Sequence, residues 1–305
     1  MRTQAKRRVL FMGISTVGAV ALHAFAVAPR RLDVVRLRIA VPSIPEEWIG
    51  VRIAHLSDFH VGSAGVSIDR LWKARRLAEE FKPDLIAMTG DFFDEGVLSD
   101  TDGLFINWPE GTQALAVIGN HDARAGEPPL GELVQHLQGG GVSVLRNEAV
   151  ALQLRGRTAW TVGVDDPHTF LADDARAFTS LPLSAEALLY LAHSPAAALT
   201  VPVGRVRLLL SGHTHGGQFR LLPSGRIPGI KLIRALKRSG KRNDPEVAFG
   251  WHWRRGAVLV ISNGLGVSQI PGRFRATPQL ILIELTGTSR NKYPCDDVRH
   301  YVAQV

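Results

Sequence analysis

Residues 208–218 read Leu208-Leu209-Leu210-Ser211-Gly212-His213-Thr214-His215-Gly216-Gly217-Gln218. The apolar run has the length and composition of a buried strand. Residues two apart in a strand point to the same face, so both imidazoles can reach one site. The flanking glycines allow a sharp turn and a close approach of the backbone. Taken alone, the stretch predicts either a two-histidine site or a loop with two surface histidines.

Four other apolar runs end at residues of the kinds that bind metals. They precede, in chain order, Ser57-Asp58-Phe59-His60, Thr89-Gly90-Asp91, Gly119-Asn120-His121-Asp122 and Ala192-His193-Ser194. Sites in layered α/β proteins form outside the carboxyl ends of strands. Each residue alone has an ordinary explanation as a helix cap, a turn residue or a packed side chain. Five such endings in succession predict one shared site, and carboxylate, imidazole and amide ligands suit Mn, Fe or Zn.

The rest of the pattern alternates helices with strands. Residues 67–81 have the spacing of an amphipathic helix that begins at Ser67 and ends before Pro83. A second helix is predicted over 130–137, and a short third one over 172–178. Strand patterns cover 142–154, 157–164, 257–261 and 280–285. His55 is predicted to be a packed core histidine, and Asp94 a solvated loop acid.

The five blocks together resemble the calcineurin-like metallophosphoesterase superfamily. Asp58-x-His60, Gly90-Asp91, Gly119-Asn120-His121-Asp122, His193 and Gly212-His213-x-His215 stand in its order across most of residues 51–285. Further segments resemble the bacterial membrane-anchored branch, the transmembrane proteins with a metallophosphoesterase domain: Gly216-Gly217-Gln218, Asn263-Gly264-Leu265-Gly266 and Pro271-Gly272-Arg273-Phe274. That branch includes phosphodiesterases and proteins related to the UDP-2,3-diacylglucosamine hydrolases of lipid A biosynthesis.

The resemblance implies a layered α/β/β/α sandwich over residues 51–287 that binds two divalent metal ions. The implied ligands are Asp58, His60 and His215 for one metal, Asn120, His193 and His213 for the other, and Asp91 as the bridge. His121 is then the predicted general acid for the leaving oxygen and also a candidate to stabilise transition-state charge, and Asp122 is predicted to orient it. Arg273 and Arg275 are candidate phosphate-binding residues, with solvated surface positions as the alternative.

Residues 1–28 are predicted to lie outside this domain. The basic residues Arg2, Lys6, Arg7 and Arg8 precede an uncharged run over 9–28 that is long enough to cross a bilayer. Arg7-Arg8-Val9-Leu10-Phe11 resembles a twin-arginine export signal, and Ala24-Phe25-Ala26 is a candidate cleavage site. A retained anchor and a cleaved signal both stay open. Residues 29–50 are predicted as a linker with a first strand, and 288–305 as a polar tail.

The positive charge of this chain is concentrated in two segments. The net charge is +8, of which the first eight residues carry +4 and residues 231–255 carry +6, so the remainder is slightly acidic. This distribution argues against a surface that coats nucleic acid. The basic stretch contains Trp251 and Trp253 and is predicted to hold an anionic headgroup, with a solvated loop as the alternative. The single cysteine, Cys295, excludes an internal disulfide framework.

The sequence favours a dimetal hydrolase of phosphate esters or pyrophosphates that acts on an envelope or lipid-linked substrate such as UDP-2,3-diacylglucosamine. A general phosphodiesterase or nuclease and a non-catalytic envelope-binding protein are the alternatives. The intact His121 favours an enzyme. We expect a monomer without a nucleic-acid partner, at the bacterial inner membrane with its domain on the extracytoplasmic side. The cytoplasmic face is the alternative, because basic residues flank the apolar run on both sides.

Overall fold

The fold is built on two β-sheets. A computed structural model describes residues 18–41, 44–96, 98–101, 103–124, 128–169, 171–220, 249–287 and 300–304. The start of the predicted anchor and residues 231–248 of the basic stretch lie outside these ranges. The strands are β1 (Asp33–Val41), β2 (Arg52–Leu56), β3 (Leu85–Thr89), β4 (Gln113–Val117), β5 (Val142–Val144), β6 (Glu148–Leu154), β7 (Arg157–Val164), β8 (Ala187–Ala192), β9 (Val206–Ser211), β10 (Gly250–Arg254), β11 (Ala257–Ile261), β12 (Gln279–Gly287) and β13 (His300–Gln304). Within the ranges that the structure describes, the α-helices of eight or more residues are α1 (Ile68–Glu80) and α2 (Leu130–Gly139), followed by the shorter α3 (Asp174–Thr179).

Parallel pairing aligns the strand ends that carry the predicted site. One sheet has the order β13-β1-β12-β2-β3-β4-β5, and the other β10-β11-β9-β8-β7-β6. Strands β2 to β5 are parallel to one another, as are β11, β9, β8 and β7. In each sheet these parallel strands therefore present their carboxyl ends at one edge.

Side-chain alternation produces the layers. In β2 and β3, Ile53 and Leu85 face the second sheet and pack with Leu189 and Leu208 between the sheets. The neighbouring residues of these strands point the other way, and Ile86 packs in the cluster that includes residues of α1 and α2. A third cluster covers the outer face of the second sheet with α3. The predicted α/β/β/α sandwich is confirmed.

The structure refines the sequence-based prediction for three segments. The pattern over 142–154 divides into β5 of the first sheet and β6 of the second, because the chain turns at Asn147, which has a φ of 55°. The first strand predicted within residues 29–50 is the nine-residue β1, which pairs in parallel with β12. The tail contributes β13, which pairs with β1 in the antiparallel sense.

The last part of the predicted anchor packs against the domain. The backbone amide of Arg273 donates to the carbonyl of Ala24 at 2.7 Å. Arg70 donates to the Pro29 carbonyl, and the rings of Phe25 and Phe219 lie 5.9 Å apart. Among the described residues, none of the helices combines the length and the apolar character needed to span a membrane.

Candidate metal centre

The predicted ligands lie on turns with an unusual backbone. Five of them have positive φ: Asp58 at 51°, His60 at 49°, Asp91 at 55°, His213 at 65° and His215 at 51°. This left-handed conformation costs non-glycine residues of the order of 1–3 kcal/mol each and clusters at functional sites. The surrounding fold therefore holds these five residues in a locally unfavourable backbone conformation.

Two glycines let the turns approach one another. A Cβ at Gly212 would lie 1.9 Å from the Ser57 hydroxyl and 2.1 Å from a carboxylate oxygen of Asp58. Gly90 has a φ of +80°, and a Cβ there would lie 2.4 Å from the amide nitrogen of Gly119. Only glycine fits at these positions, which explains its place in the sequence blocks.

Asp58, His60 and His215 form the first group of converging ligand atoms. The Nε2 atoms of the two histidines lie 3.0 Å apart. Asp58 Oδ1 is 3.4 Å from Nε2 of His215 and 4.0 Å from Nε2 of His60. All three residues are buried. They are the residues predicted for the first metal.

His193 and His213 form the second group with Asp91 and Asn120. His213 Nδ1 lies 3.2 Å from Nε2 of His193, which in turn lies 3.1 Å from Oδ2 of Asp91. Asn120 lines the same cavity as Asp91 and His213. Its Oδ1 is buried and has no hydrogen-bond partner among the described residues. A buried oxygen without a donor fits a metal ligand.

Asp91 connects the two groups. Its Oδ2 lies 3.4 Å from Nε2 of His60 and 3.1 Å from Nε2 of His193. Its Oδ1 accepts a hydrogen bond from the backbone amide of His121 at 2.8 Å. One carboxylate oxygen thus faces ligand atoms of both groups, as a bridging ligand must.

Electrostatics favour cations at this place. Asp58 and Asp91 are buried, and their ion pairs within the described residues are with histidines. Buried carboxylates are costly unless they are paired or coordinate metals. Burial, followed by the charge of His193, lowers the pKa of His213 to about 4. Burial also holds the pKa of His215 well below its usual range, so both rings are neutral near pH 7, as metal ligands are.

His121 contacts a different carboxylate from the one predicted. Its Nδ1 is paired with Oδ1 of Asp94, and its ring stands edge-on to His60 with centroids 4.7 Å apart. Asp94 Oδ1 also lies 2.9 Å from Nδ1 of His60. Asp94, predicted as a solvated loop acid, is therefore the residue that orients His121.

Asp122 instead organises the backbone around Asp91. Its Oδ2 accepts from the amides of Gly119 at 2.9 Å and Asp91 at 2.8 Å. Its Oδ1 accepts from the amide of Phe92 at 2.7 Å. Burial, followed by the charge of Asp91, raises the pKa of Asp122 to about 6. The predicted contact of Asp122 with the His121 ring is wrong, because the carboxylate turns back onto the main chain.

The two arginines proposed for phosphate lie elsewhere. Arg273 is fully buried and donates to the carbonyls of His215, Asn263 and Ala276. Its Nη2 lies 3.0 Å from Nδ1 of His215, so it supports the histidine turn. Arg275 is exposed, with its guanidinium 5.5 Å from the Phe274 ring. Neither arginine lines the cavity. A phosphate contact for Arg273 is wrong because its side chain points inward.

His55 is the packed core histidine that was predicted. It is fully buried, and its Nε2 lies 2.9 Å from the Thr89 hydroxyl. Burial lowers its pKa to about 3.

Sequence reasoning missed Asp166 and His168. They follow β7, and with His213 they form another group of converging ligand atoms. His168 stacks on His213 with centroids 4.4 Å apart and ring planes 21° from parallel. The same rule that found the other blocks, polar residues directly after an apolar strand, would have found this one.

A cavity of about 570 Å³ lies over these groups. One part of its lining is polar and comes from Asn120, His121, Arg124 and His168. Another part contains the apolar residues Leu171, Phe219 and Ile270. The cavity therefore offers room for a charged group at the carboxylates and histidines and for an apolar substituent beside it.

Comparisons with known proteins agree with this site. The family model of the calcineurin-like phosphoesterases matches residues 51–217. Phosphodiesterase YaeI of Escherichia coli K12 is 30% identical over 70% of this chain and 80% of its own length. Two Bacillus subtilis metallophosphoesterases without an assigned activity are also similar. YkoQ is 27% identical over 75% of this chain and 82% of its own length, and YkuE is 29% identical over 92% and 94%.

Proposed function

This chain belongs to the calcineurin-like phosphoesterase family, and on that basis we propose that it hydrolyses phosphodiester or pyrophosphate bonds with two divalent metal ions. It is a metallophosphoesterase, a metal-dependent phosphoester hydrolase. The observation that carries the two-metal proposal is the position of Asp91 Oδ2, 3.4 Å from a nitrogen of His60 and 3.1 Å from one of His193. Two bound ions would activate water and neutralise charge on the phosphoryl group.

The protein's own residues divide the remaining work. Asp58, His60 and His215 would hold one ion, and Asn120, His193 and His213 would hold the other. His121 lines the cavity beside the first group. Held at Nδ1 by Asp94, it donates a proton to the leaving oxygen. A positioned general acid of this kind contributes roughly 10²- to 10⁴-fold to turnover.

Metal analysis and two variants test this assignment. The purified protein should contain two divalent ions and hydrolyse bis(4-nitrophenyl) phosphate. Asp91→Ala should lose both ions and the activity, because its carboxylate is shared. His121→Ala should lower turnover by roughly 10²- to 10⁴-fold with its metal content intact, because His121 has no ligand role. His136→Ala, on α2 away from the cavity lining, is the matched control. Equal metal loss in the Asp91 and His121 variants would contradict the division of roles.

The finer proposal is an envelope or lipid-linked substrate such as UDP-2,3-diacylglucosamine. Its support is the apolar part of the cavity lining. Leu171 and Ile270 are 46% and 39% exposed, and Phe25 of the N-terminal segment packs against Phe219. Exposed apolar side chains beside a phosphate site favour a substrate with an apolar substituent. A panel of lipid pyrophosphates, nucleotide diesters and simple monoesters should show faster turnover of the lipid-linked compounds.

Localisation at the inner membrane belongs to the same proposal, with the domain on the extracytoplasmic side. It rests on the basic and apolar sequence of residues 1–28. Monomeric chains suffice for catalysis in this proposal, because all the assigned residues come from one chain.

A further inference from the structure

Asp166 and His168 form a second carboxylate–imidazole pair at the cavity. The backbone amide of His168 donates to Oδ1 of Asp166 at 2.6 Å, and the ring Nδ1 lies 3.0 Å from the same oxygen. Asp166 is buried, whereas the His168 side chain is 23% exposed and lines the cavity. The pair resembles that of Asp94 and His121, in which a carboxylate also holds Nδ1 of a cavity histidine.

The loop that carries this pair is fixed to the second sheet. Arg146 binds the carboxylate of Asp165 through Nε at 3.0 Å and Nη2 at 2.9 Å. Asn147 Oδ1 accepts from the amides of Asp165 at 3.1 Å and Asp173 at 3.0 Å. Its Nδ2 donates to the Leu171 carbonyl at 2.8 Å. These contacts at both ends of the loop hold His168 in place before a ligand binds, as a preorganised site requires.

The two cavity-lining histidines that a neighbouring carboxylate holds at Nδ1, His121 and His168, lie beside different ligand groups. His121 stands edge-on to His60 of the first group, and His168 stacks on His213 of the second. A phosphoryl group held between the two groups would have one imidazole on each side. Packing does not explain the pair, because Oδ2 of Asp166 is buried without a hydrogen-bond partner among the described residues. Such a carboxylate costs stability.

We propose that His168 hydrogen-bonds a phosphoryl oxygen of the bound ester beside the second ligand group. Asp166 is then a positioning residue that acts through the His168 ring. The inference rests on the proposed phosphoesterase function for its substrate class. It follows from the fixed loop, from the engaged Nδ1, and from the cavity position of the ring. Hydrogen bonds to an ionised acceptor such as a phosphoryl oxygen are stronger and shorter than bonds between neutral groups, so this contact contributes to substrate affinity.

The test measures binding of inorganic phosphate to the metal-loaded protein by calorimetry, and KM and kcat for bis(4-nitrophenyl) phosphate. His168→Ala should weaken phosphate binding roughly tenfold or more, as expected for a lost hydrogen bond to a charged group. KM should rise similarly, with a smaller change in kcat. His168→Gln keeps an amide donor and should recover part of the affinity. Asp166→Ala should act in the same direction, and Asp166→Asn, which keeps an acceptor oxygen, should lose less affinity than Asp166→Ala.

Metal analysis of each variant and a control substitution at another histidine distinguish a lost phosphate contact from a lost metal ligand. His252 is half-buried on β10, pairs with the Phe249 carbonyl and does not line the cavity, so His252→Ala is the control. The inference is overturned if His168→Ala binds phosphate as tightly as the control. It is also overturned if the variant loses a metal ion, which would make His168 a ligand, or if the wild-type protein binds no phosphate. Phosphate binding that depends on His168 without hydrolysis of any ester would support the inference and remove the proposed function.

Discussion

Asp94 holds two histidines of the site with one carboxylate. Its Oδ1 contacts Nδ1 of both His60 and His121, and the Ser63 hydroxyl donates to Oδ2. Burial alone would raise the pKa of Asp94, but the hydrogen bonds from His121 and His60 outweigh it and hold the pKa below its usual range. The carboxylate is therefore ionised at neutral pH and fixes a proposed metal ligand and the proposed general acid together.

Asp94→Asn should lower turnover of a phosphodiester roughly 10- to 100-fold, the usual effect of removing a partner of a metal-site histidine. The neutral amide attracts the two imidazoles less and competes as a donor for their Nδ1 atoms. Steady-state kinetics with parallel metal analysis measure the effect. Glu95→Gln changes the exposed neighbouring acid in the same way and should keep its turnover. Similar kinetics for the two variants would return Asp94 to the role of a loop acid.

At the residue scale, the sequence predicted which side chains meet but not where each one points. The strand-end rule found Asp58, His60, Asp91 and the later histidines, because parallel strands bring their ends together. It could not show that Asp122 folds back onto backbone amides, since neighbours in sequence need not touch through their side chains. Arg273 shows the same limit, because its inward direction depends on carbonyls from several separate turns.

At the scale of the elements, periodicity predicted helices and buried strands closely. The helix predicted over 67–81 is observed as Ile68–Glu80, and the one over 130–137 as Leu130–Gly139. The pattern over 142–154 was harder to interpret, because β5 and β6 are both strands and only the turn at Asn147 sends them to different sheets. Strand pairing between distant segments, such as β1 with β12, leaves no local signal in the sequence.

His55 makes strand β2 sensitive to acid. Its folded-state pKa is about 3 because of burial, below the ordinary value of about 6.5 for an exposed histidine. Between these two values the unfolded chain binds a proton that the folded chain does not. The unfolding free energy is therefore unaffected by His55 above about pH 6.5. As the pH decreases from there towards 3, protonation of His55 in the unfolded chain lowers the unfolding free energy by up to about 1.4 kcal/mol per pH unit.

His55→Gln should make the unfolding free energy fall less steeply as the pH decreases, since glutamine does not titrate. Urea unfolding of metal-free wild-type and variant protein at several pH values between 7 and 4 measures it. The difference in unfolding free energy between the two proteins should change with pH in favour of the variant as the pH falls. A constant difference at every pH would show that the pKa of His55 is the same in the folded and the unfolded chain, contrary to the lowering that burial causes.

At the scale of the whole molecule, the N-terminal segment and the metal centre share one support. Arg273 fixes the His215 turn through its side chain and receives the segment through its backbone amide, which donates to Ala24. Phe25 packs on Phe219, which lines the cavity. A segment that approaches a membrane would therefore bring the apolar part of the cavity with it.

Membrane association is tested by removing residues 1–28 and by neutralising Lys237, Arg238, Lys241 and Arg242 of the basic stretch. Each basic residue near an anionic surface contributes about 1 kcal/mol, so the four together contribute roughly a thousandfold in affinity. Co-sedimentation with vesicles that contain anionic lipid should fall in both variants and fall furthest in their combination. Hydrolysis of bis(4-nitrophenyl) phosphate should persist in the variant with the four neutralised residues, because none of these four is a proposed metal ligand. Vesicle binding that survives in the combined variant would contradict the membrane-surface proposal and leave a phosphoesterase whose substrate need not be lipid-linked.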